Sequence, residues 1–145
     1  MYLIELIANM SCALFAGAAI YINLAEHPAR LECGTGLAAT VFGPSYRRAA
    51  AMQASLALIA TITGFAMGIN GGSWYWFVGA TLIFLVIPFT FIAIMPTNNQ
   101  LLDPSRDRES SETLELLVKW GKLHSVRSVL SLAATLIYLY LSVAS

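Results

Sequence analysis

Four long apolar stretches decide what this chain can become. They run over about residues 2–24, 49–69, 74–95 and 121–143. A helix needs about 20 mostly apolar residues to cross the hydrocarbon core of a bilayer, and each stretch qualifies. In lipid, every backbone N–H and C=O must be satisfied within the element, so helices are the expected form. Composition agrees. The 145 residues are 58% hydrophobic and 11% charged, whereas a soluble domain carries about 25% charged residues. So few charges cannot cover a water-facing surface of this size. The sequence therefore predicts an all-α membrane protein, a four-transmembrane-helix bundle forming one integral domain over residues 1–145, with the lipid bilayer as its surroundings.

Other classes are disfavoured. A formal net charge of zero argues against nucleic acid as a partner. Cys12 and Cys33 have neither metal-type spacing nor the pattern of a disulfide framework. The start, MYLIELIANM, carries Glu5 and has no Lys or Arg before Arg30. A cleaved signal peptide begins with a basic region, so the first stretch is expected to stay as a helix.

The connections set the topology. Asn70 to Ser73, "NGGS", predicts a tight turn between the second and third spans. Trp74, Tyr75 and Trp76 follow it as interfacial anchors. The other two connections, with the adjoining helix ends, hold all eight basic residues: Arg30, Arg47, Arg48, Arg106, Arg108, Lys119, Lys122 and Arg127. The positive-inside rule then places both connections in the cytoplasm and both termini outside. "SSETLELLVKWGKLHSVRSVL" predicts a helix that starts near Glu112, capped by Ser110 or Ser111, and runs unbroken into the fourth span. "GTGLAATVFG", residues 34–43, is Gly-rich and too short to span, and predicts a loop or a short interfacial helix.

Several polar residues sit where a membrane discourages them. Trp120, His124, Arg127 and Ser131 share one helical stripe. Ionisable groups at such depth usually face the bundle interior or a water-filled cavity. The plain alternative is that Arg127 snorkels to the headgroups with Trp120 as an interfacial anchor. In "IPFTFIAIMPTNNQLLDP", Pro88 frees a carbonyl that the Thr90 hydroxyl can satisfy, and Pro96 to Asn99 are expected to stop the helix. Glu5, Asn9 and Cys12 form a stripe read as structural, with Asn9 wanting a partner on another helix. In "INLAEHPARLE", Pro28 is expected to end the first helix near His27, with Glu26 at the helix end and Arg30 at the headgroups.

The predicted topology brings His27, Asn98, Trp120, His124 and Arg127 to one depth on one side. His27 or His124 could act as a general base near neutral pH. Arg127 could hold an anionic oxygen such as a phenolate or enolate. Trp120, with Phe42 or Tyr46, could stack on an aromatic substrate. The two histidines could instead ligate haem or a metal ion, although no ligand pair lies within one helix and no third ligand is evident beyond Glu26.

"EHPARL", "PFTFIAIMPTNNQLLDP" and "LLVKWGKLHSVRSVLSL" occur in this order. Together they resemble the anthrone-oxygenase-like family, small four-span membrane proteins of bacteria and fungi, most bacterial members being a membrane domain of unknown function. The resemblance runs from the first span to the last. It implies the chemistry of the fungal members, which oxidise anthrones to anthraquinones with molecular oxygen and no evident cofactor. A base removes an acidic proton, and the carbanion reacts with oxygen directly. The family pattern would put functional positions at His27, Pro28, Thr90, Pro96, Asn98, Trp120, His124 and Arg127.

The expectation is thus a multi-pass membrane oxidoreductase of a bacterial inner membrane. It would be a cofactor-independent monooxygenase acting on a lipophilic anthrone- or quinol-like molecule. His27, His124 and Arg127 would be catalytic, and Asn98, Trp120 and Thr90 would bind substrate; a homo-oligomer is left open. Two alternatives stand beside it: a non-catalytic membrane subunit or small-ligand carrier whose polar cluster is structural, and a haem or metal protein using His27 and His124.

Overall fold

The fold was obtained as a computed structural model that describes residues 1–144. Among them there are helices and no strands. The helices are α1 (Tyr2–Tyr21), α2 (His27–Glu32), α3 (Thr35–Ile69), α4 (Tyr75–Phe89), α5 (Met95–Leu101) and α6 (Ser111–Ala144). One turn of π-helix, Ile22–Glu26, joins α1 to α2, and another, Thr90–Ile94, joins α4 to α5. Four rods result: Tyr2–Glu32, Thr35–Ile69, Tyr75–Leu101 and Ser111–Ala144. Each is long and apolar enough to cross a membrane. The rods form a ring in which α1 packs on α3 and α6, and α4 packs on the same two.

The two π turns explain why the first and third rods outlast the expected stops at Pro28 and Pro96. A proline ring inside a helix clashes with the carbonyl four residues back and removes an N–H. Just before each proline, the hydrogen bond skips one residue further: the His27 N–H reaches the Ile22 carbonyl, and the Met95 N–H reaches the Thr90 carbonyl. The widened turn takes up the ring, and the chain stays helical to Glu32 and to Leu101. Thr97 and Asn98 are therefore buried in the bundle rather than exposed at a helix stop. The Thr90 hydroxyl donates to the Val86 carbonyl at 2.7 Å, not to Phe84, the carbonyl that Pro88 leaves free.

The Gly34–Gly43 stretch also departs from expectation. Except for Gly34, whose φ of 97° suits glycine alone, it is the opening of α3. Ala38, Ala39 and Phe42 bury their side chains with Leu101, Leu116 and Leu117. That packing outweighs the weak helix propensity of Gly36, Gly43 and Pro44. At about 1.5 Å per residue α3 is some 50 Å long, longer than the ~30 Å apolar core of a bilayer.

Met1, the Asn70–Ser73 turn and the end of α6 meet at one end of the bundle, where Met1, Gly71 and Ala144 line one cleft. The other two connections lie at the opposite end. There Ser110 Oγ accepts the Thr113 N–H at 3.2 Å and caps α6. Ser105 donates to exposed Asp103 from its N–H at 2.9 Å and its hydroxyl at 2.7 Å, which holds the Asp103 carboxyl below its usual pKa.

The interior has two apolar cores. Near the termini, Phe15, Ile83, Trp76 and Tyr138 pack with small residues of α1 and α3. At the other end Phe42, Ile94, Leu117 and Trp120 pack together. Polar side chains in the first core pair with one another across helices. Asn9 Nδ2 donates to Ser142 Oγ at 2.8 Å, Thr135 Oγ1 to Cys12 Sγ at 3.3 Å, and Tyr138 Oη to the Ala60 carbonyl at 2.9 Å. Tyr138 fits because α3 presents Gly64 to it; a Cβ there would overlap the Tyr138 hydroxyl. Gly64→Val should therefore overpack this core and cost about 1–3 kcal/mol or more. Thermal unfolding in detergent should show a lowered midpoint, and an unchanged midpoint would contradict the close approach.

Candidate functional site

Between the two cores lies a layer of buried polar side chains. Its first half is held by Asn23, which sits in the π turn after α1. Asn23 Nδ2 donates to the Gly121 carbonyl at 3.0 Å. That bond fixes the amide, because a carbonyl only accepts. Asn23 Oδ1 then faces α6, where it accepts from Ser128 Oγ at 2.6 Å and meets His124 Nδ1 at 2.7 Å. His124 must carry its proton on Nδ1, which leaves Nε2 as the nitrogen with a lone pair to offer.

His27 is fixed in the opposite tautomer. Its Nε2 lies 2.9 Å from the Leu117 carbonyl and must donate; its Nδ1 is buried with no hydrogen-bond partner. The close packing depends on Gly121, since a Cβ there would sit 2.9 Å from His27 Cδ2. Trp120 lies against both imidazoles, with ring centroids 5.0 Å from His27 and 4.8 Å from His124. The Trp120 Nε1–H donates to Asn98 Oδ1 at 2.8 Å, and Phe42 meets the indole edge-on.

The second half of the layer joins α6 to α3. Arg127 Nη2 donates to Gln53 Oε1 at 2.8 Å, and the guanidinium carbon lies 5.3 Å from the Phe15 ring centroid. Arg127 is only 9% exposed, so it does not snorkel. Among the described residues no carboxylate lies within 4.0 Å of it. Arg127 Nε and Gln53 Nε2 are both buried without a hydrogen-bond partner. A buried cation lacking a counter-charge is costly, by several kcal/mol per ion. Arg30 is also buried, because α2 carries it inward past His27. Its Nη2 lies 2.9 Å from Glu26 Oε1, which also accepts from Ser45 Oγ at 2.8 Å. Glu26 thus holds Arg30 to α3 instead of merely ending a helix.

Two cavities meet at this layer. A polar one of about 20 Å³, the size of a water or two, is lined by Arg30, Ser45, Gln53, Trp120, His124 and Arg127, among others. An apolar one of about 140 Å³ opens between α3 and the α4–π segment, against Phe15, Ala57, Val86, Thr90 and Phe91. Tyr46, Ala50, Gln53 and Arg127 line both and form the partition.

The residues singled out from the sequence are thus distributed unevenly. Trp120, His124 and Arg127 line the polar cavity, and Thr90 lines the apolar one. Asn98 lines neither and reaches the site through Trp120. His27 lines a separate open groove of about 310 Å³ with Asn23, Gly121 and Lys122. No group of three or more His, Cys, Asp or Glu side chains that could hold a metal ion gathers among the described residues. Sequence reasoning missed Asn23 and Gln53. The signal for Gln53 was present: one amide alone in the apolar run "AAAMQASLALIA" wants a partner helix.

Residues 42–137 match the anthrone oxygenase family. The chain belongs to that family. The match includes Tyr46, Gln53, Thr90, Asn98, Trp120, His124 and Arg127, and it starts after Asn23, His27 and Arg30, so it is shorter than the first-to-last-span resemblance suggested. The chain is also 35% identical over 77 residues to anthrone oxygenase PtaC of Pestalotiopsis fici. That alignment covers 46% of this chain and 55% of the relative, so the chain spans about half the length of the protein it matches. No solved structure matches. Within this family member, the hydrogen bonds above make a sharp prediction. In ¹⁵N-histidine spectra, His124 should appear as the Nδ1–H tautomer and His27 as the Nε2–H tautomer. Asn23→Ala should release the first and destabilise the protein by about 1–3 kcal/mol. The reverse tautomers would refute the assignment.

Proposed function

We propose that this protein is a membrane oxygenase that oxidises a lipophilic, anthrone-like aromatic ketone with molecular oxygen, using its own side chains. The observation that carries this reading is the buried Arg127 cation without a carboxylate, one turn from His124 with its oriented lone pair and beside an apolar cavity. A base next to an uncompensated cation suits the removal of a proton from carbon, because the charge formed moves onto an oxygen that the cation can hold.

The chemistry balances without a further oxidant. His124 Nε2 takes a proton from the acidic CH₂ opposite the ketone. The electron pair moves onto the ketone oxygen, and the enolate is held by Arg127. The carbon then adds O₂, the proton returns from His124 to the peroxide, and loss of water leaves the second carbonyl. One O₂ is consumed and one water released per quinone formed. His27 and Asn98 act as positioning residues, since both touch Trp120, and Trp120 lies on His124. Thr90 belongs to the wall of the apolar cavity on which the rings rest. The charge asymmetry of the chain supports placing this end of the bundle toward the cytoplasm, with the termini outside.

The test is turnover of anthrone by the purified protein under ¹⁸O₂, with one labelled oxygen expected in the quinone. His124→Ala should lower kcat by about 10²–10⁴-fold. Arg127→Met should lower it by about 10²–10³-fold while raising the thermal midpoint, because it removes an unpaired buried charge. Activity retained in His124→Ala would refute the base. A lowered midpoint in Arg127→Met would favour a structural cluster.

A further inference from the structure

Resting on that reading, we infer that Gln53 is a specificity-determining residue: with Arg127 it forms a two-donor clamp for one acceptor oxygen at the inner end of the apolar cavity. The amide orientation is settled by Arg127, which can only donate. Gln53 Oε1 accepts from it at 2.8 Å, so Nε2 carries the N–H groups that have no partner. Gln53 is 1% exposed, so bulk water does not reach it.

The other polar groups on the cavity wall are already engaged. Thr90 Oγ1 donates to the Val86 carbonyl at 2.7 Å, and Tyr46 Oη contacts Met95 Sδ at 3.7 Å. The cavity offers a ligand apolar surface, and two of the residues at its partition, Gln53 and Arg127, each keep one donor, Nε2 and Nε, buried without a partner. Such a site selects a flat hydrocarbon bearing a carbonyl or enolate oxygen. It discriminates against the same ring system without that oxygen, because both donors would then stay unsatisfied. Entry is lateral, between α3 and the α4–π segment, as suits a ligand dissolved in the bilayer.

The experiment compares binding of two probes of similar shape, anthraquinone and anthracene, to the purified full-length protein in detergent. The wild type should prefer anthraquinone. In Gln53→Leu that preference should fall by about tenfold, the effect of one strong hydrogen bond, with anthracene binding unchanged. Gln53→Met, closer in shape, serves where the Leu variant does not fold. An equal loss of both probes would overturn the clamp, as would an unaltered preference or a wild type that binds neither. Binding is read without turnover, so the two proposals separate. Selective, Gln53-dependent binding with no ¹⁸O incorporation would sink the oxygenase and leave the clamp; turnover with a Gln53-independent preference would do the opposite.

Discussion

The structure turns on a buried cation without a counter-charge. Arg127 lies between two apolar cores, bonded to a neutral amide on α3 and set against the Phe15 ring. Neither contact neutralises it. The cation–π contact is worth about 2 kcal/mol when desolvated, less than the cost of burying an isolated charge. The rest of the layer is arranged around this charge: His124 sits one turn away on α6, Asn23 fixes its tautomer, and Gln53 joins α6 to α3 at the boundary of the two cavities. The chain carries eight basic and eight acidic residues, so a carboxylate partner was chemically available. Glu26 takes that part for Arg30. One arginine is thus paired with a carboxylate and the other is not, the difference on which the proposed role of Arg127 rests.

Backbone geometry delivers the side chains to this layer. Both the first and third rods pass through a π turn immediately before a proline, and both then turn polar residues inward: His27 and Arg30 in one, Thr97 and Asn98 in the other. π turns are rare and recur at functional sites. Here they have a local cause. The extra residue in the turn takes up the ring of Pro28 or Pro96 and rotates everything that follows, whereas Pro44 and Pro88 are carried within α3 and α4. Straightening the first turn would shift the facing of His27 by about 100°, and straightening the second that of Asn98, each at the expense of that residue's own contact to Trp120.

Much of this was legible in the sequence, and the reasons differ by element. The four rods were, because lipid permits only internally bonded helices and the apolar runs are long enough. The fourth rod was legible to within a residue of its start, since Ser110 is a strong cap. The Gly34–Gly43 stretch was not: its glycines and proline speak against helix locally, and only the burial of Ala38, Ala39 and Phe42 by distant partners reverses that. Pro28 and Pro96 misled for a related reason, because a π turn leaves no composition signal. Trp120, His124 and Arg127 share one helical stripe, which left an interior position and snorkelling both open; burial by the other helices decides for the interior. Asn23 was hidden by its position beside a helix end, where polar residues are ordinary. Gln53 was exposed by its isolation but needed Arg127, 74 residues away, to acquire a meaning.

The two halves of the bundle treat their buried polar groups differently. Near the termini, Tyr138, Thr135 and Ser131 each have a protein acceptor; Asn9 Oδ1 is the one atom there without a partner. Around the cavities and Trp120, His27, Arg30, Gln53, Asn98 and Arg127 each keep one buried nitrogen unpaired. Unsatisfied buried groups are uncommon in native proteins, since each costs about 1–3 kcal/mol. Arg30, Gln53 and Arg127 belong to the cavity walls, whereas His27 and Asn98 reach the layer through Trp120. Four of the five nitrogens are donors, and the imidazole is the fifth. Donors gathered near a cation suit an oxygen carrying negative charge, which is the feature on which the proposed oxygenase reading relies.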